Sequence, residues 1–254
     1  MKRIVFFLLI VGIFTTAYAD EKLKKQVDRS AEQIEPKVVE WRRHFHQFPE
    51  LSNREFKTAE KIAEHLESLG LDVRTGVAHT GVVGLLKGVK PGPVVGLRAD
   101  MDALPVTERV DVPFASKVRT KYNGHDVGVM HACGHDAHIA ILMGVAGILT
   151  SMKNELKGSV KFIFQPAEEG APQGEEGGAQ LMVKEGVLEN PKVDVIFGLH
   201  IWALAEVGTI SYRPQRIMAG ADSLRIKVKG KQTHGSTPWT GIDPITLLSL
   251  RRLS

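Results

Sequence analysis

One stretch of nine residues constrains this chain more than any other. MHACGHDAH, residues 130–138, packs three histidines, one cysteine and one aspartate together. Cys133 and His135 are two apart, so on an extended stretch or tight loop both side chains reach a single site. A lone cysteine or histidine reads first as core or surface; a cluster this dense reads as a metal site. The helix that follows is expected to begin near Asp136, with the Asp136 carboxylate as its cap.

A second segment, QPAEEG at 165–170, follows the apolar run Lys161-Phe162-Ile163-Phe164. Adjacent Glu168 and Glu169 repel each other unless a cation or water separates them. A bare pair of this kind reads as an acidic turn, but its place at the end of an apolar strand favours a metal. One glutamate then ligates while its neighbour takes a proton from a water whose pKa the metal lowers. His200 ends the run Val195-Ile196-Phe197-Gly198-Leu199. Asp100 and Asp102, in LRADMDALP, follow the run Val94 to Ala99. Ligands of open α/β sheets gather at the carboxyl ends of strands, and an aspartate there suits the orienting of a ligand. His234, in KGKQTHGSTPW, reads equally as surface or site. His46 and Glu50 read as packing and helix-end residues, and His65 as solvated surface. His44, His79 and His125 have no evident partner in the sequence.

Periodicity predicts helices over Leu23 to Phe45, stopped by Pro49, over Arg54 to Leu69, and over Ala137 to Ser151. Short β-like runs are expected at Asp72 to Gly76, Gly81 to Leu86, Val94 to Ala99, Ser159 to Gln165 and Val193 to Leu199. A Gly-rich loop (Glu169 to Gly178) and a helix (Ala179 to Glu185) lie between the last two. Such alternation predicts an α/β sandwich with a largely parallel or mixed sheet. Near Arg213 the pattern changes. A strand over Asp222 to Lys229 is expected to open a second domain, whose roughly 40 residues are too few for an independent core.

The 254 residues are 43% hydrophobic and 24% charged, with a net charge of +4. The charges are scattered and no basic cluster is interleaved with aromatics, which argues against a nucleic-acid partner. Residues 1–19 read as a signal peptide: Lys2 and Arg3, the apolar run Ile4 to Phe14, then Ala17-Tyr18-Ala19 ahead of Asp20. The apolar run is short for a bilayer span, which needs roughly 20 residues. The expectation is an exported protein, periplasmic or secreted, with no stable membrane anchor after cleavage. The single cysteine, Cys133, allows no intramolecular disulfide. A free thiol in an oxidising compartment is expected to be buried or bound.

RRHFHQFPEL, LRADMDALP, GVMHACGHDAH, FQPAEEG, LHIW and KGKQTHG, in this order, resemble the amidohydrolase branch of the aminoacylase/carboxypeptidase-G metallopeptidase family. Hippurate hydrolases, N-acetyl-diaminopimelate deacetylases and auxin-conjugate hydrolases belong to that branch. The resemblance implies a zinc-exopeptidase-like α/β sandwich over residues 20–215 and an inserted ferredoxin-like α+β lid, or dimerisation domain, beginning at 216–254, both incomplete here. It implies two divalent ions, Zn²⁺ or Mn²⁺ with Co²⁺ or Ni²⁺ as substitutes, on Cys133, His135, Glu169 and His200. Glu168 matches the general base, Asp100 the aspartate behind the metals, and His234 a lid histidine that stabilises the oxyanion and acts across a dimer. The implied reaction is hydrolysis of an N-acyl amino acid or similar amide. A dipeptidase or carboxypeptidase of the wider family is the alternative. Relatives of this branch continue past the lid and supply a further histidine ligand. The end of the chain at Ser254 therefore leads to the expectation of a truncation or frameshift, with an inactive metal-binding remnant as one outcome.

Overall fold

The computed structural model describes residues 2–213, 224 and 226–250, in two compact units, Met1–Ala203 and Leu204–Ser254. Helix α1 (Lys2–Gln47) begins well before the expected Leu23. Nothing between Lys2 and Leu23 breaks a helix; the segment holds one glycine and no proline. Among the described residues, no helix is long and apolar enough to cross a membrane. Trp41 and Phe45 of α1 are buried, and Ile34 and Val38 pack on the same core.

Helix α2 (Phe56–Ser68) buries Ala59, Ile62, Ala63 and Leu66, the i, i+3, i+4, i+7 stripe of an amphipathic helix. Its first free N–H groups are taken by Glu50, whose carboxylate accepts from Lys57 N at 3.2 Å and Thr58 N at 2.8 Å. His65 departs from its expected exposure. It is half-buried, with Nε2 3.0 Å from the Met143 carbonyl and its ring edge-on to Trp41. The helix face it shares packs inward, so the charged neighbours in sequence do not report its surroundings.

Strands β1 (Asp72–Val77), β2 (Gly81–Lys87) and β3 (Lys90–Asp100) follow. A hairpin of β4 (Arg119–Tyr122) and β5 (His125–Gly128) comes next, absent from the expected elements. Asn123 and Gly124 make its two-residue turn at φ 49 and 82, the left-handed pair that such hairpins require. Helix α3 (His135–Ser151), β6 (Lys157–Gln165), α4 (Gly178–Lys184) and β7 (Val195–Gly198) complete the unit.

The main sheet has the order β1-β2-β6-β3-β7. β2 is antiparallel to both β1 and β6, whereas β3 runs parallel to β6 and β7. Alternation along β6 divides the core: Val160, Phe162 and Phe164 face α1, α2 and α3, while Ile163 faces Met182 of α4 on the other side. A Cβ at Gly144 of α3 would stand 2.8 Å from Val38, so its absence lets α1 and α3 approach closely. The result is the predicted α/β sandwich with a mixed sheet. Because β3, β6 and β7 are parallel and in register (Asp100 opposite Gln165, Arg98 opposite Gly198), their carboxyl ends lie side by side.

In the second unit the described residues form an isolated bridge between Lys231 and Ile242, a 3-10 turn at Pro238–Thr240 and helix α5 (Pro244–Leu250). Residues 222, 223 and 225 of the expected strand lie outside the described residues. The remainder, Leu224 and Ile226 to Lys229, forms no strand. Alternation alone does not make a strand. It needs a neighbouring ladder, and the bridge at Lys231 is the only pairing among the described residues of this unit.

Candidate metal centre

Three parallel strand ends and one helix start supply the site. β3 delivers Asp100 and Asp102, β6 delivers Glu168 and Glu169, and β7 delivers His200. Cys133 and His135 precede and open α3. Gly134 between them has φ 89, a conformation that other residues resist, and a Cβ there would collide with Ile201.

His135 is the common member of three clusters whose donor atoms lie within 4.8 Å of one another: with Cys133 and His200, with Glu168 and Glu169, and with Asp100 and His138. Its ring is fully buried. Nδ1–H donates to the Asp102 carbonyl at 2.8 Å, which leaves the Nε2 lone pair free, and that buried atom has no hydrogen-bond partner. Around Nε2 stand Asp100 Oδ1 and Glu168 Oε2 at 3.7 Å each and Glu169 Oε1 at 3.8 Å. His200 repeats the arrangement: Nδ1 donates to the Ile201 carbonyl at 2.6 Å, and Nε2 lies 3.4 Å from Cys133 Sγ. Donors bonded tetrahedrally at about 2.0 to 2.3 Å stand about 3.3 to 3.8 Å apart. The orphaned nitrogen and these spacings fit a bound metal ion.

The electrostatics point the same way. Burial pushes the Cys133 thiol up, and the carboxylates of Glu169 and Glu168 push it further, to about 12. Burial and the nearby Asp100 also raise Glu168. For His135, burial works downward, but Asp102 and Asp100 outweigh it and hold the imidazole above its ordinary value. The shell thus favours positive charge at Nε2 and resists a further anion unless a cation is present.

The third cluster behaves differently. His138 uses both nitrogens: Nδ1–H donates to Asp100 Oδ1 at 2.6 Å, and Nε2 accepts from Ile201 N–H at 2.9 Å. His138 is therefore a brace that links the end of β3 to the residue after His200. Burial would raise Asp100, but His138, Arg98 and His135 overrule it and hold it at about 2. Arg98 donates to its other oxygen at 2.6 Å. Asp102 Oδ2 accepts from Ser52 Oγ at 2.7 Å and from Glu169 N at 3.0 Å.

Asp136 does not cap α3 as expected. The N-cap is Gly134, and the Asp136 carboxylate instead binds Arg42 Nε and His46 Nδ1, each at 2.9 Å. His46 also meets Glu108 at 2.8 Å, so it is a buried ionic link between α1 and α3. Arg42 and His46 sit one turn apart on α1, which aims both at the first turn of α3. His79 finds the Glu176 carbonyl at 3.0 Å. His234 lies in the second unit, exposed, with Nδ1 2.8 Å from Ser236 Oγ.

Of the sequence-derived residues, the structure gathers Cys133, His135, Glu168, Glu169, His200 and Asp100. Missed by that reasoning were His138, whose i, i+3 spacing from His135 on one helix was the available signal, and Ser52, which has no local signal.

A family model, Peptidase family M20/M25/M40, matches residues 96–247. The chain belongs to this family. It is 46% identical over 226 residues to thermostable carboxypeptidase 1 of Saccharolobus solfataricus, covering 89% of this chain and 53% of the relative. It is 41% identical over 224 residues to the N-acyl-L-amino acid amidohydrolase of Geobacillus stearothermophilus, covering 88% and 57%. Among solved structures it resembles YXEP of Bacillus subtilis, described as a dinuclear metal binding peptidase of the M20 family. That match has 42% identity and a TM-score of 0.58, over 66% of this chain and 43% of YXEP. The chain spans about half the length of the curated relatives it matches.

Proposed function

We propose that this M20-family chain carries the metal site of an amidohydrolase that cleaves N-acyl amino acids or related conjugates. One observation carries the reading: at the strand ends the buried, unpartnered Nε2 of His135 faces two adjacent glutamates, only one of which is needed as a ligand, and His135 also clusters with Cys133 and His200.

In this reading Cys133, His135, Glu169 and His200 hold two divalent ions. When bound, the ions polarise the amide carbonyl and make a water molecule acidic. The thiolate and imidazoles favour Zn²⁺, and the carboxylates also accept Mn²⁺, Co²⁺ or Ni²⁺. Glu168, exposed at the rim yet raised by burial and Asp100, takes a proton from water and returns it to the leaving amine. Asp100 fixes His138, and through it the backbone beside His200. His234 offers a donor to the oxyanion across a homodimer. The N-terminal segment directs export, which N-terminal sequencing of the mature protein tests: Asp20 is expected as the first residue.

The assay is release of free amine from a panel of N-acetyl and N-benzoyl amino acids by the zinc- or manganese-loaded protein. Turnover lost in Glu168→Gln with metal content unchanged is the expected outcome. Metal-loaded protein that releases no amine from any member of the panel contradicts the reading.

A further inference from the structure

The two glutamates sit on a loop between β6 and α4, and four consecutive residues from elsewhere in the chain grip that loop. Ser52 Oγ donates to Asp102 Oδ2 at 2.7 Å, and the same oxygen receives the Glu169 N–H at 3.0 Å. Asn53 Nδ2 donates to Glu175 Oε2 and to the Glu176 carbonyl, each at 3.0 Å. Arg54 makes a two-pronged pair with Glu175, at 3.0 and 2.5 Å. Glu55 Oε1 accepts the Ala167 N–H at 2.9 Å, immediately before Glu168, while Oε2 receives the Thr80 hydroxyl at 2.5 Å.

Glu55 is fully buried. A glutamate at this position has an ordinary explanation, the capping of α2, and the geometry rejects it. Glu55 is the N-cap residue, yet its side chain makes no capping bond, and the free N–H groups of the helix go to Glu50. The buried carboxylate is turned instead to a backbone that needs holding: Ala167 is a non-glycine residue at φ 50. The loop then closes tightly. A Cβ on Gly177 would lie 2.8 Å from Asn53 Oδ1, and one on Gly178 would lie 2.8 Å from the Ala167 carbonyl.

We infer that Glu55, supported by Ser52, Asn53 and Arg54, is a positioning residue that sets the Ala167 turn and thereby aims Glu168 and Glu169 at His135. This inference rests on the amidohydrolase reading for the role of Glu168, and on the loop geometry alone for the aim of Glu169. Replacing the carboxylate by an amide keeps the acceptor for Ala167 N–H, so Glu55→Gln is expected to behave as wild type.

The test compares wild type, Glu55→Ala, Glu55→Gln and Ser52→Ala in the metal-loaded protein, with two readouts. Against an N-acyl amino acid, Glu55→Ala is expected to lose about 10- to 100-fold in kcat with KM within about twofold, and Glu55→Gln to restore it. In the cobalt-substituted protein, the visible absorption of Glu55→Ala and Ser52→Ala is expected to differ from wild type, while Glu55→Gln matches it. A Glu55→Ala protein that melts earlier yet keeps wild-type kcat and cobalt spectrum overturns the inference. If Glu55→Ala does not fold, Ser52→Ala decides, and an unchanged cobalt spectrum overturns it. A wild type without turnover rejects the amidohydrolase reading and leaves the cobalt spectra to judge the positioning role.

Discussion

The metal centre has a buried wall and an open rim, and they are built differently. On the wall, His135, His138, Asp100 and Asp102 are all buried, and their partners fix each tautomer and carboxylate. On the rim, Glu168, Glu169 and His200 are exposed and reached by loops that continue β6 and β7, and Cys133 is partly covered. The wall is set by the sheet and the start of α3. The rim is aimed by contacts made at a distance, through Ser52, Glu55 and Ile201. On the wall His135 should therefore weigh most on affinity, and on the rim Glu168 should weigh most on turnover.

The largest effect should come from removing the residue both sides share. His135→Ala is expected to abolish metal binding and activity together, measured by elemental analysis after dialysis. Retention of stoichiometric metal would erase the distinction between wall and rim, because His135 belongs to every donor cluster among the described residues. Next, Glu168→Gln should keep the metal and lose about 10²- to 10⁴-fold in kcat, the usual contribution of a positioned base. A parallel loss of metal would make Glu168 a ligand instead. A smaller effect is expected from Asp100→Asn, which preserves shape but removes the charge that holds His138. Metal affinity should fall about 10- to 100-fold in a competition titration with a chelator.

The smallest expected effect on the metal lies beneath the rim. Burial raises Glu55 from 4.5 to about 7, against the opposing hydrogen bonds from Thr80 and Ala167. The folded state therefore holds the proton more tightly than the unfolded chain. The stability linked to this group is fully present below pH 4.5 and is lost as pH rises to about 7, by about 3 kcal/mol in total. Glu55→Gln should remove that part of the pH dependence of denaturant unfolding without changing metal content. Identical pH profiles for the two proteins would show that Glu55 titrates normally.

The legibility of the site in the sequence follows the same division. Cys133 and His135 were readable as candidates because two donor side chains two apart form a local signature, and Glu169 and His200 because each follows an apolar run that the parallel sheet brings alongside. The α/β sandwich was readable from alternating periods for the same reason. His138 stood inside the most informative segment, but its role as a brace depends on Asp100, 38 residues away. Glu55 reaches Ala167 across 112 residues, and no local pattern announces such a contact. The β4–β5 hairpin had its Asn-Gly turn in plain view, yet its strands are short and polar, so periodicity gave no help. The expected strand at 222–229 erred the other way: its alternation was clear and its described residues pair with nothing.

Zinc K-edge X-ray absorption of the metal-loaded protein tests the central claim most directly, because it reports the atoms bonded to the metal without requiring turnover. Sulfur scattering at about 2.3 Å beside nitrogen and oxygen at about 2.0 to 2.2 Å is the predicted result, with the sulfur contribution absent in Cys133→Ser. A shell of nitrogen and oxygen alone in the wild type would contradict the claim that Cys133 and His135 together found the metal centre.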